Sequence, residues 1–220
     1  TRFVSYHHRL SAGLVGREAL TEERAPHVAR MAARAVSMFD QRGCVSPHVI
    51  YVEEGGAVDP GEWAALLASA MADLEVEIPG GLLTAAEASA VHQMRGSAEL
   101  REASGGGVRV FHGDQSFWTV ILEDEMSFTP SCLNRVVSLV PTPDLSAVAD
   151  SLGKVGRHLQ TVAIEGAEDR LPMLAEALSR AGATRVTSFE KAPWPPPWWR
   201  HDGASVLTGL IRWIDLEEID

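Results

Sequence analysis

The chain has 220 residues, 45% of them hydrophobic, which suits a single domain whose core needs no disulfide staples. Lys and Arg number 19 against 30 Asp and Glu, a formal net charge of −11 with no local basic cluster to offset it, so a nucleic-acid partner is not expected. Two cysteines, no signal-peptide pattern and no apolar run near the ~20 residues of a membrane helix argue for a cytoplasmic protein without a membrane span.

Residues 3–15 mix short apolar pairs with Gly13 and read as a strand and turn. Thr21 is placed to N-cap a helix in which Val28, Met31, Ala32, Ala35, Val36 and Phe39 recur at helical spacing. Asp40-Gln41-Arg42-Gly43 closes that helix, with Gly43 near the C-cap. The β-branched run 49–52, bounded by Pro47 and Gly55-Gly56, predicts a buried strand. Pro60 opens a second helix that runs to about residue 74, and Thr84, with Glu87 three residues on, starts a third over 84–102. Runs 108–111 and 117–122 predict two strands joined around Gly113-Asp114, and 135–140 a further one.

Helix 145–151, strand 161–164, helix 170–181 and strand 185–187 then alternate, as βαβ units of a mainly parallel sheet do. The tract APWPPPWW at 192–199 reads as extended, and 207–216 is a last apolar stretch. The pattern is one α/β domain.

Cys44 carries the strongest chemical signal. It sits on a Gly-containing turn between an amphipathic helix and a buried strand, so its sulfur can project into a cleft while its own N–H faces a bound carbonyl oxygen. A small, inert, buried thiol fits the same spacing. Cys132, in a Pro-flanked loop without a companion motif, reads as structural. Gly105-Gly106-Gly107 and Gly153-Lys154-Val155-Gly156 read as turns rather than phosphate loops, and no histidine or cysteine spacing indicates a metal site.

The segment FDQRGCVSPHVIYVE at residues 39–53 closely resembles the reactive-cysteine segment of the long-chain acyl-CoA reductases typified by the fatty-acid reductase of bacterial luminescence, a branch of the aldehyde dehydrogenase superfamily. Further stretches fall in family order: His8-Arg9-Leu10-Ser11 through Leu20, Asn134-Arg135-Val136-Val137, Leu159-Gln160-Thr161-Val162, Trp199-Arg200-His201-Asp202-Gly203 and Arg212-Trp213-Ile214-Asp215-Leu216-Glu217. The resemblance covers essentially the whole chain. It implies an aldehyde-dehydrogenase-like catalytic domain with a mainly parallel sheet flanked by helices. It also implies transfer of a fatty acyl group from coenzyme A, or from an acyl-protein thioester, to Cys44, followed by reduction with NADPH to an aldehyde.

By the same resemblance, residues 1–220 form the cysteine-bearing part of a longer reductase, NADPH is bound mainly by a nucleotide-binding half upstream, and the chain pairs with that half or forms a homo-oligomer. The chain's opening on Thr1, with no initiator Met, agrees with a piece of something longer. Oxidising members of the superfamily carry a water-activating Glu upstream of the cysteine; the corresponding stretch here, His7-His8-Arg9, has none, which suits a reductase that must not hydrolyse its intermediate. A Glu-x-Phe-Gly-Pro element that touches the nicotinamide ribose is echoed in Glu125-Met126-Ser127-Phe128-Thr129-Pro130, making Glu125 a cofactor-contact candidate beside the plainer reading of an exposed acidic turn.

For activation of Cys44, His48 and His8 are candidate bases, and Arg42 is placed to offset the negative end of the preceding helix dipole. His201-Asp202 is a candidate hydrogen-bonded pair near the site, and the tryptophan-proline tract is either a ligand for a partner or a rigid loop packed on its own domain. Two other readings stay open: an acyl-transfer subunit without reduction, and an assembly module in which Cys44 is inert and a final strand at 210–216 pairs with a neighbour.

Overall fold

The computed structural model describes residues 8–205, 207 and 210–217. Its centre is a sheet of seven strands in the order β3-β4-β5-β2-β1-β6-β7. These are β1 (Leu10–Val15), β2 (Pro47–Glu53), β3 (Arg109–Phe111), β4 (Thr119–Leu122), β5 (Val136–Thr142), β6 (Leu159–Glu165) and β7 (Arg185–Thr187). All neighbours run parallel except the edge strand β3, which is antiparallel to β4.

Alternation along each strand sends side chains to two helical layers. Ile50 and Val52 of β2, with Val137 and Leu139 of β5, face α1 (Ala25–Ser37) and α2 (Pro60–Glu77). Val49 and Tyr51, with Val140, face α4 (Val148–Gly153) and α5 (Leu171–Ala181). The remaining helix, α3 (Ala85–Ala103), covers Ile121 and Val136 near the β3 edge. Strand β2 is buried on both faces along its whole length, as a central parallel strand should be.

Helix starts follow local chemistry. Thr84 and Glu87 form the expected capping box of α3, and Asp59 with Glu62 forms a second one at α2. The C-terminus of α5 ends on Gly182 at φ 113°, a left-handed position that suits glycine. Thr21 does not cap α1 directly. Its hydroxyl accepts from the Arg24 N–H at 3.1 Å, shaping a preceding turn, and the helix begins at Ala25.

The end of α1 also differs from expectation. The helix stops at Ser37, Gly43 is not left-handed, and the positive φ angles fall on Phe39, Asp40 and Gln41 instead. A run of three left-handed non-glycine residues costs on the order of 1–3 kcal/mol per residue and persists only where surroundings over-determine it. Here they do. A matching left-handed run, Leu133-Asn134-Arg135, packs against it. The Asp40 carbonyl accepts from the Asn134 N–H at 3.1 Å, and the Asp40 carboxylate accepts from buried Arg135 at 2.8 and 2.7 Å. Arg135 also donates to the Ile78 and Pro79 carbonyls, while the Gln41 amide donates to those of Pro47 and Val136 at 2.8 Å. Phe39 is left 58% exposed, its ring edge-on to Trp194 rather than in the core.

After β7 the chain returns across the sheet. Phe189 lies over Gly13, where a Cβ would come within 2.6 Å of its ring, so glycine is what admits it. Trp194 then meets Phe39, and Trp199 stacks beside His201 with the Arg185 guanidinium 5.6 Å from its ring centre. The tract therefore packs largely on its own domain, although Trp198 is exposed. Among the described residues, 211–217 form no strand, and Trp213, Ile214 and Leu216 face solvent. No helix of the described residues is long and apolar enough to cross a membrane.

Candidate active site

Cys44 stands on the turn that enters the amino end of β2. Every parallel strand points the same way, so the amino edge gathers residues remote in sequence: Arg9 and Ser11 at β1, Gln160 at β6 and Arg185 at β7. The Ser11 hydroxyl donates to the Cys44 carbonyl at 2.7 Å and accepts from the Thr161 N–H at 3.2 Å, tying the turn to two strands.

The Cys44 thiol is half-buried. Its Sγ lies 4.0 Å from Nε2 of His201, a residue 157 positions away. His201 Nδ1 is 3.2 Å from the Asp202 carboxylate. Asp202 is in turn held by Arg9 through contacts of 2.6 and 2.7 Å and receives the Gln160 amide at 3.4 Å. A φ of 57° at Asp202, left-handed for a non-glycine residue, lets this short segment present both side chains. Arg9 also donates to the Arg157 carbonyl.

Burial pushes the Cys44 thiol above its ordinary range, and the charge of Asp202 adds to this; its own backbone N–H, Arg9 and Arg185 oppose it. The cations that matter to the sulfur are therefore Arg9 and Arg185. Arg42 turns away from this role and pairs with Glu87 at 3.0 Å and with the Asn134 side chain at 3.3 Å.

The other sequence candidates lie elsewhere. His48 is buried in β2, where its Nδ1 faces the Ser131 N–H and hydroxyl at 3.2 and 3.1 Å. Burial lowers its pKa to about 4, so it stays neutral at pH 7. His8 is exposed and contributes its carbonyl to His158 at 3.3 Å, and His7 is outside the described residues. Glu125 is exposed beyond the carboxyl end of β4, on the opposite edge of the sheet from Cys44. There it borders a cavity of about 600 Å³ together with Met94, Ser138 and half-buried Cys132. No group of three or more metal-ligating side chains occurs among the described residues.

The carboxyl edge holds its own cluster. Glu53, last residue of β2 and fully buried, accepts from both arms of Arg170 at 2.8 Å, from the Arg17 N–H at 2.9 Å and guanidinium at 3.0 Å, and from the Leu145 N–H at 3.2 Å. Burial alone would raise its pKa, but these donors outweigh burial and hold the carboxyl well below the usual range.

With the geometry in place, the relationship to known proteins is direct. The family model described as "Acyl-CoA reductase (LuxC)" matches residues 1–213. The chain belongs to the LuxC family. No curated protein sequence matches it. Among solved structures, this LuxC-family chain is similar to an NAD-dependent aldehyde dehydrogenase from Burkholderia multivorans, with a TM-score of 0.59 and 15% identity over 84% of this chain and 36% of that one. A mutant aldehyde dehydrogenase C from Pseudomonas syringae, solved with NAD+ and octanal, gives 0.60 and 16% over 88% and 41%. The glyceraldehyde-3-phosphate dehydrogenase GapN from Methanocaldococcus jannaschii, solved with NADP, gives 0.62 and 11% over 88% and 42%. These identities establish an aldehyde-dehydrogenase-like fold, and the chain spans about two fifths of each of these structures.

Proposed function

We propose that this chain is the cysteine-bearing domain of an acyl-CoA reductase, in which Cys44 takes a fatty acyl group from a coenzyme A or protein thioester for NADPH-dependent reduction to an aldehyde. The observation that carries this reading is the placement of Cys44, half-buried on a braced turn within reach of an imidazole, inside a chain of the LuxC family. The Cys44 sulfur attacks the thioester carbonyl, a new C–S bond forms, and the C–S bond to the carrier breaks. The Cys44 N–H is one donor to the transient oxyanion. A thioester leaves the acyl carbon more open to a hydride than an oxygen ester would.

NADPH binding is assigned mainly to a nucleotide-binding half upstream. Two observations support this: in the turn after β1, where a dinucleotide-binding fold offers backbone N–H groups to a diphosphate, the Arg17 N–H is given to the Glu53 carboxylate, and the chain spans about two fifths of the solved aldehyde dehydrogenases. Pairing with that half or with a second copy is supported by the exposed apolar residues of 210–217.

Intact-mass measurement after exposure to a long-chain acyl-CoA tests the reading. A stable adduct that disappears in Cys44→Ala supports it; no adduct on the wild type sinks it. NADPH supplied with the nucleotide-binding half then yields aldehyde and oxidised cofactor if the domain serves a reductase, and neither if acyl transfer is its whole task.

A further inference from the structure

We propose that His201, oriented by Asp202, is the proton relay of Cys44, and that Arg9 is the positioning residue that holds Asp202 for it. The proposal rests on the reading of Cys44 as the nucleophile and adds the group that ionises it. Four distances define the relay: 4.0 Å from Sγ to Nε2, 3.2 Å from Nδ1 to Asp202, and 2.6 and 2.7 Å from Asp202 to Arg9. Catalytic hydrogen bonds are often long in free enzymes and tighten in the substrate complex, so a 4.0 Å contact is within reach of proton transfer.

With a proton on Nδ1, 3.2 Å from the Asp202 carboxylate, His201 offers Nε2 as the acceptor for the thiol proton. The Cys44 S–H proton moves to Nε2, the thiolate attacks the acyl carbon, and the imidazolium returns that proton to the departing carrier thiolate. No oxidant or reductant enters, and the enzyme ends as the acyl-thioester with His201 neutral again.

Burial works against a thiolate at Cys44, so the thiol alone ionises poorly near pH 7 and a neighbouring base has a task to perform. Among the described residues, the charged groups that act on the thiol are Asp202, Arg9 just before β1, and Arg185 of β7; Trp199 closes the imidazole's flank at 4.9 Å between ring centres. The left-handed backbone of Asp202 is a conformational cost that the Arg9 and Gln160 contacts hold in place.

The test follows the rate of Cys44 modification against pH, with a long-chain acyl-CoA and, in parallel, with iodoacetamide, both read by mass spectrometry. His201→Asn is expected to slow both by about 10²-fold at pH 7, and to recover as pH rises into the thiol's own ionisation range. Asp202→Asn decides between relay and simple charge effects. Removing a negative charge beside the sulfur would speed alkylation if Asp202 acted only through the field, whereas loss of the relay slows it. A His201→Asn profile that superimposes on the wild type, or an Asp202→Asn variant that alkylates faster, overturns the proposal. A wild type that forms no acyl adduct but shows the His201-dependent iodoacetamide profile sinks the acyl-transfer reading and leaves the relay standing. Should His201→Asn fail to fold, Asp202→Asn and Arg9→Gln carry the same measurement, each slowing alkylation at pH 7.

Discussion

The two edges of the sheet treat charge in opposite ways. At the carboxyl edge Glu53 meets two guanidinium groups and two backbone N–H donors, and the cluster closes on itself. At the amino edge one ion pair, Arg9 with Asp202, leaves a thiol and an imidazole facing each other beside it. Open parallel sheets ordinarily bind ligands outside their carboxyl ends. In this domain that position is filled by the protein's own ions, and the proposed nucleophile stands at the other end of the same strand.

Swapping insults between the edges tests this division most sharply. Cys44→Ala is expected to remove the acyl adduct completely while leaving the thermal transition unchanged. Glu53→Gln should keep the adduct in the fraction that remains folded and cost roughly 3 kcal/mol, since it strands Arg170 and Arg17 without their buried counter-charge. A chemical denaturation curve measures it. The sign of the pH effect is fixed by the depressed Glu53 pKa: its contribution is complete above the ordinary carboxylate pKa near 4.3 and drains as pH falls through the folded value.

Also at the amino edge stands the brace under the cysteine turn. Arg135→Met should cost roughly 2–3 kcal/mol by leaving Asp40 and two carbonyls unpaired, and unlike Glu53→Gln it should also slow adduct formation. Equal slowing by both variants would erase the distinction.

His48 gives a purely pH-driven effect, absent at neutral pH. Neutral in the folded state down to about pH 4, it makes unfolding easier by roughly 1.4 kcal/mol per pH unit as pH falls from about 6.5 to about 4. His48→Asn should flatten that limb of the stability curve. Smallest is Thr84→Ala, which removes one capping box at the start of α3, whose Glu87 also pairs with Arg42, and should cost about 1 kcal/mol.

Much of the frame was legible in the residues themselves. The buried run in β2, the span of β7 and the capping box at Thr84 all follow from pattern and side-chain chemistry that act locally. The left-handed turn before Cys44 was not legible, because Phe39, Asp40 and Gln41 have no intrinsic preference for positive φ and are forced there by Arg135 and Asn134. Arg135 itself reads as the polar start of an apolar strand, and nothing nearby announces a fully buried guanidinium.

Cys44 stood out through its turn and its family resemblance, and His201-Asp202 was visible as a pair. That this pair, rather than His48 or His8, meets the sulfur depends on the chain returning over Gly13 through Phe189, a long-range event without a local signal. Glu125, read both as a cofactor-contact candidate and as part of an exposed acidic turn, stands exposed past the carboxyl end of β4.

Strand β2 has neighbours on both sides and helices on both faces, a salt cluster at one end and the turn of Cys44 at the other. In exchange experiments its amides should therefore open only when the whole domain unfolds. On the proposed reading, the nucleophile is rooted in a strand expected to exchange among the slowest, so its position is kept between turnovers.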